Sequence, residues 1–303
     1  MIQFAEIQSE IQFIQKKNGT ELYILREDRI HPVISGNKFR KLKYNLEEFS
    51  KGNYSSLLTF GGAYSNHISA VAAAGKEFDF KTIGIIRGEE LDRKINENPT
   101  LSFARDCGMK LKFISREQYR NKTNPIFLDR LKSEFGSFYL LPEGGTNEFA
   151  VKGCEKILSN RTDHYDFICC AIGTGGTISG IINSSKPHQK VLGFPALKNS
   201  DFLKNEIKKY TSRSNYELIQ DFHFGGYAKI NNELLDFING FKNEFAVNLD
   251  PVYTGKMMFG IMKMINENYF QKGTKILAVH TGGLQGIEGM NQKLTQKNKK
   301  IIV

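Results

Sequence analysis

The sequence predicts an α/β fold built on an open, mainly parallel sheet. Three observations predict it. Short apolar runs alternate with helical stretches along the chain, the order expected of strands joined by crossover helices. Gly-rich or polar loops follow several of the apolar runs, where such sheets carry their ligands. The chain has 303 residues, 40% of them hydrophobic and 24% charged, which suffices for a well-buried core and two domains.

In chain order, the expected strands are SSLLTF, KTIGII, KLKFIS, SFYLLP, DFICCAI, KVLGF and KILAVH. Helical patterns between them include LSFARDCG, FLDRLKSEFG, NEFAVKGCEKIL, SDFLKNEIKKY and GKMMFGIMKMINENYF. The methionine stripe in the last reads as core. No internal repeat or low-complexity tract interrupts the order, and the 7 prolines mark no linker.

Several function classes recede on composition. No apolar run approaches the roughly 18 residues of a membrane span. The opening MIQFAEIQSEIQFIQKK lacks the basic-then-apolar layout of a secretion signal, so a cytoplasmic location is expected. Cys107, Cys154, Cys169 and Cys170 match no zinc spacing, so reduced thiols and no metal are expected. The net charge of +10 is spread along the chain without aromatic interleaving, which argues against nucleic acid and favours anionic ligands.

Five constellations could carry chemistry. Ser35-Gly36-Asn37-Lys38-Phe39-Arg40-Lys41 opens a helical pattern, with Lys38 and Lys41 on neighbouring points of its first turn. The positive end of the helix dipole favours a neutral amine there, which a Schiff base needs; a solvated basic helix is the competing reading. Ile172-Gly173-Thr174-Gly175-Gly176-Thr177 runs from a strand into a helix, so its N–H groups can cradle a phosphate; a plain turn competes. The dinucleotide fingerprint fits poorly, because its third glycine would fall at Ile178. Gly61 to His67 (GGAYSNH) enters an alanine-rich helix, with Ser65 and Asn66 as cap candidates, or with Ser65 and backbone N–H groups as donors to a carboxylate. His67 reads equally as a helix residue or a proton-transfer group. Tyr253 lies in the turn PVYTGK, and Thr281 follows the last apolar run. An early lysine, a phosphate-suited loop and polar strand ends together point to a phosphorylated cofactor attached to lysine.

The motifs SGNKFRKLKYNL, TFGGAYSNHISAVAAAGKEF, LPEGGTNEFAVKG, IGTGGTISG, DPVYTGKMMFG and HTGGLQG occur in one order. In that order the chain resembles the aminocyclopropane-carboxylate deaminase and D-cysteine desulfhydrase family. The resemblance implies the tryptophan-synthase-β-like fold of pyridoxal-phosphate enzymes: two open, twisted, mainly parallel sheets with helices on both faces. It implies a small α/β domain over 48–150 and a large cofactor-binding domain from 1–47 with 151–303. It also implies a homodimer, a small amino acid as substrate and pyridoxal 5'-phosphate as cofactor.

By the same resemblance, Lys38 is the Schiff-base lysine. Lys41, Gly173, Thr174, Gly175, Gly176 and Thr177 hold the phosphate, and Asn66 meets the ring's phenolic oxygen. Ser65 and His67 face the substrate carboxylate, Tyr227 and Tyr253 flank the substrate, and Thr254 or Thr281 approaches the pyridine nitrogen. His67 and Thr254 stand where the deaminases typically carry glutamine and glutamate, which favours the desulfhydrase branch. Ser35, Ser69 and the segment DFHFGGYAKI depart from the family pattern.

The expected reaction is α,β-elimination with deamination, D-cysteine giving pyruvate, ammonia and hydrogen sulfide. Deamination of 1-aminocyclopropane-1-carboxylate is the alternative, with elimination from another D- or sulfonated amino acid beside it. A silent cofactor- or amino-acid-binding protein is a more distant one.

Overall fold

The computed structural model describes residues 7–303. Among the described residues, ten strands form two sheets. The larger has the order β1 (Ile11–Lys17), β2 (Thr20–Leu25), β10 (Lys275–Val279), β7 (Phe167–Ile172), β8 (Lys190–Pro195), β9 (Tyr216–Leu218). The smaller has the order β5 (Lys110–Ile114), β4 (Thr82–Arg87), β3 (Ser56–Gly61), β6 (Phe138–Leu141). Every pairing is parallel except β1 with β2. All seven expected strands are present. The β1–β2 hairpin and β9 lie outside the expected set. The hairpin turns on Asn18 and Gly19, both at positive φ (54° and 80°), the backbone that Asn-Gly adopts in tight hairpins.

Helices complete the layers: α1 (Asn37–Lys51), α2 (Asn66–Glu77), α3 (Pro99–Asp106), α4 (Arg116–Arg120), α5 (Pro125–Phe135) and α6 (Glu148–Cys154). They are followed by α7 (Gly176–Ser184), α8 (Phe202–Lys208), α9 (Asn232–Phe245), α10 (Thr254–Asn266) and α11 (Gly286–Thr295). No helix is long and apolar enough to cross a membrane among the described residues.

The large sheet is buried on both faces. Cys169 packs into a cluster with Met257, Met258 and Ile261 of α10, so the methionine stripe is core. Cys170 points the other way, into a cluster with Ile178, Ile181 and Ile182 of α7. Adjacent strand residues alternate faces, which is why two neighbouring cysteines serve two cores. All four cysteines are free thiols.

Parallel pairing also places the site. Strands β2, β10 and β7 are neighbours running in one direction, so the segments leaving their carboxyl ends lie side by side. These are the stretch before α1, the His280–Gly283 loop and the glycine loop before α7. The close approach has a strict requirement at Gly36. Its φ is +65°, and a Cβ there would stand 2.0 Å from the Thr281 carbonyl oxygen. Only glycine allows α1 to start where it does. Below it, Glu27 and Arg40 form a buried ion pair (Nε to Oε2, 2.8 Å) with the Ser9 hydroxyl joined to Glu27. This pair ties the first turn of α1 to the end of β2.

Candidate active site

Lys38 is the second residue of α1 and is partly buried. Its Nζ donates to Asn37 Oδ1 at 3.0 Å, and Asn37 Nδ2 donates to Thr177 Oγ1 at 2.9 Å. The amine is therefore linked through one side chain to the start of α7. Burial, and then the neighbouring charge of Lys41, bring its pKa from 10.5 down to about 7. Near neutral pH a large share of this amine is unprotonated, the state in which it can attack an aldehyde. Burial and Lys41, rather than the helix dipole expected from the sequence, account for the shift.

The loop after β7 turns at Gly175, which is left-handed with φ +88° and forms the N-cap of α7. The first N–H groups of a helix have no partner within it, so this turn presents donors. Facing it is a chain of polar groups. Lys41 Nζ, buried, donates to the Gly144 carbonyl and to Thr146 Oγ1, both at 3.0 Å. Thr146 Oγ1 lies 2.6 Å from Thr174 Oγ1. A Cβ on Gly176 would stand 2.7 Å from Thr146 Cγ2, so a side chain there would fill the cradle. An amine, threonine hydroxyls and a helix N-terminus form a donor set suited to one phosphate. The residues present fit a lysine-bound phosphorylated aldehyde.

Ser65 caps α2, its Oγ accepting from Ile68 N at 3.3 Å, which leaves the hydroxyl proton free to donate. Asn66 opens the same helix. A Cβ on Gly283 would lie 2.8 Å from its Nδ2, so the amide sits against the loop after β10.

His67 is turned away from the expected role. Its Nε2 lies 2.8 Å from Thr59 Oγ1, and Thr59 gives its single proton to the Leu141 carbonyl. The imidazole must therefore carry its proton on Nε2. Its Nδ1 is buried without a hydrogen-bond partner and lies against Gly145. Burial, with Lys38 and Lys41 nearby, holds the ring neutral, its pKa well below 6.5. Nδ1 offers a lone pair, which a substrate carboxylate cannot use.

Thr254 is also committed. Its Oγ1 donates to Asp250 Oδ2 at 2.6 Å and accepts from Asp250 N at 2.9 Å. The Asp250 carboxylate further accepts from the N–H groups of Val252, Tyr253 and Thr254 at 2.8–2.9 Å. No proton on Thr254 remains for a ring nitrogen. Thr281 is buried beside the Gly36 turn, which its carbonyl reaches by accepting from Asn37 N at 3.2 Å. The Tyr253 ring covers Gly173, where a Cβ would lie 3.2 Å from Cε1. Tyr227 is half exposed, with its ring 6.2 Å from that of Tyr253 at 67°. Burial, and then the nearby Tyr227, raise the Tyr253 pKa well above 10.

Asn37, Thr146, Asp250 and Thr59 were not singled out from sequence. Asp250 carried a readable signal, since an aspartate opening a Pro-containing turn commonly binds backbone N–H groups ahead of it.

Residues 9–282 match the family model described as pyridoxal-phosphate dependent enzyme. A relative from Thermotoga maritima, called a putative 1-aminocyclopropane-1-carboxylate deaminase, is 30% identical over 94% of this chain and 96% of its own. A mitochondrial protein of Arabidopsis thaliana, called a bifunctional D-cysteine desulfhydrase and 1-aminocyclopropane-1-carboxylate deaminase, is 32% identical over 89% of this chain and 74% of its own. The crystal structure of an ACC deaminase homologue superposes with a TM-score of 0.82 at 26% identity, covering 96% of this chain and 94% of that one. The match runs through the lysine, the glycine turn and both sheets, and the cofactor it implies, pyridoxal 5'-phosphate, is the kind of group the cradle suits. The chain therefore belongs to the family of pyridoxal-phosphate-dependent enzymes.

Proposed function

We propose that this enzyme eliminates the β-substituent of a small amino acid and deaminates the remainder, with D-cysteine as the preferred substrate. The observation that carries the reading is the low-pKa Lys38 amine beside the Lys41–Thr146–Thr174 cradle. Pyridoxal phosphate, when bound, supplies an aldehyde for the amino group and a conjugated ring that accepts the electron pair of the departing α-proton.

The chain's own residues do the rest. Lys41, the N–H groups opening α7 and the nearby threonines fix the phosphate. Asn66 orients the ring from the side of the β10 loop, and buried Thr281 takes the ring-nitrogen role. Ser65, at the N-terminus of α2, donates to the substrate carboxylate where the helix favours negative charge. Lys38 Nζ, about half of it free of its proton near pH 7, takes the α-proton. With D-cysteine the balance is one water in, with pyruvate, ammonia and hydrogen sulfide out.

The choice of D-cysteine over the cyclopropane substrate rests on position 254. A hydroxyl committed to Asp250 stands there in place of a carboxylate, which leaves the ring nitrogen less firmly protonated and the ring the weaker electron sink. That suits expulsion of a good leaving group. The name of the Thermotoga relative supports the deaminase alternative, and that of the Arabidopsis relative supports both activities. Purified enzyme with cofactor is assayed in parallel against D-cysteine, L-cysteine and 1-aminocyclopropane-1-carboxylate. Sulfide and pyruvate from D-cysteine alone are the expected result. Oxobutanoate from the cyclopropane substrate, without sulfide from D-cysteine, would transfer the assignment to the deaminase.

The reading also includes two domains divided near residues 48 and 150, and a homodimer in the cytoplasm. The sheet strands between Ser56 and Leu141 support the division. Light scattering on purified protein tests the dimer.

A further inference from the structure

The segment 222–229, between β9 and α9, carries Tyr227 and has an unusual backbone. Phe224, Gly225, Gly226 and Ala228 all have positive φ, at 52°, 88°, 114° and 54°. For Phe224 and Ala228 this backbone is strained, so the surroundings must hold it in place. Two consecutive turns build it, one closed by Gly226 N to His223 O (3.0 Å), the next by Lys229 N to Gly226 O (3.1 Å). Tyr227 sits in the second turn.

One side chain binds the opening carbonyl of both turns. Lys256, on α10, is 2% exposed, and its Nζ donates to His223 O at 2.9 Å and to Gly226 O at 2.7 Å. The same helix begins with Thr254, whose turn Asp250 fixes and whose neighbour Tyr253 covers Gly173. Phe222 fills the space over Gly260 on α10, and Phe224 meets Phe259 edge-on at 4.9 Å. The strap is thus seated on α10 by aromatic rings and by one buried amine.

We infer that Lys256 is a positioning residue that sets the strap's two turns and thereby holds Tyr227 against Tyr253 at the mouth of the site. This rests on the proposed function and on the placement of Tyr227 beside the substrate that the family resemblance implies. A buried amine is costly, its pKa being drawn from 10.5 to about 8, mainly by burial. Two strong acceptors at right distances account for its retention there. Lys256 does not touch the reacting atoms; it acts through Tyr227.

The test has two arms. The chain has no tryptophan, so Tyr227→Trp gives a single tryptophan, excited selectively at the red edge, as reporter at the strap's tip. Adding Lys256→Met should raise its quenching by acrylamide about twofold or more, since the freed strap samples solvent-exposed states. Unchanged quenching would overturn the inference, whatever the substrate proves to be. In the second arm, Lys256→Met should lower kcat/KM about 10- to 100-fold while visible cofactor absorbance is retained. Tyr227→Phe should add less than about twofold in the Lys256→Met background, because coupled residues are not additive. Multiplying effects, or cofactor loss in step with activity, would show a purely structural lysine. If Lys256→Met does not fold, Lys256→Leu, which also removes the donor, takes its place under the same criteria. Absence of turnover on every amino acid tried would count against the proposed function, and the quenching arm would still decide the role of Lys256.

Discussion

Replacing Lys38 by methionine should abolish catalysis and, in the cofactor-free protein, make the fold more stable. The amine is drawn from 10.5 to about 7, chiefly by burial. That fall corresponds to roughly 5 kcal/mol held against the charged form in the folded state. The hydrogen bond to Asn37 Oδ1 returns about 1 kcal/mol. Allowing for partial exposure, a net destabilisation of about 3 kcal/mol remains at pH 6.5. Methionine keeps the length and removes the charge. At this chain length such a gain raises the melting temperature by about 5 °C.

The sign with pH follows from the two pKa values. Unfolded Lys38 keeps its proton up to about 10.5, whereas the folded amine loses it near 7. The penalty is complete below about 7, declines as the pH rises and vanishes above 10.5. The advantage of Lys38→Met should therefore be large at pH 6.5 and at most about 1 kcal/mol at pH 9.5. Differential scanning calorimetry on stripped wild type and variant at both pH values is the assay. A variant melting at or below wild type at pH 6.5 would refute the claim that the site holds this amine against its charge. Retained turnover would refute its role altogether.

Three further outcomes test the supports of the site. Lys41→Met should weaken cofactor binding about 10- to 100-fold in an equilibrium titration of stripped protein, since it removes a buried charge-assisted donor from the cradle. Gly36→Ala should cost about 3 kcal/mol or more in urea unfolding and depress activity, because its Cβ would collide with the Thr281 carbonyl at 2.0 Å. Glu27→Gln should cost about 3–5 kcal/mol by the same measurement, because it leaves Arg40 buried without its counter-charge.

The parallel strands were legible because burial on both faces makes each a continuous apolar run. β3 is buried at all six positions, and SSLLTF shows it directly. The first hairpin was harder to read for a physical reason. β1 is an edge strand with one face in solvent, so IQFIQKK alternates weakly and shows no apolar run. Its turn was the readable part, since Asn18-Gly19 is a strong tight-hairpin signal. β9, only three residues long and half-buried throughout, offers no period to detect.

The same division holds within the site. Lys38, Lys41, Thr174, Gly175 and Thr177 are close in sequence to a helix start or a glycine turn, and local chemistry is what motifs record. His67 and Thr254 are equally prominent in their motifs, but their hydrogen bonds go elsewhere. Thr59 determines the imidazole's tautomer from eight residues away, and Asp250 takes the Thr254 proton. A side chain's type shows what it can donate; only its partners show what it has left. The groups that settle this are buried and polar and contribute to no periodicity, whether they lie a few residues away or on a distant element. Lys256 binds carbonyls 30 and 33 residues earlier in the chain. In this fold the chemistry is written in the loops at strand ends, while control over which loop atoms stay free lies one layer behind them.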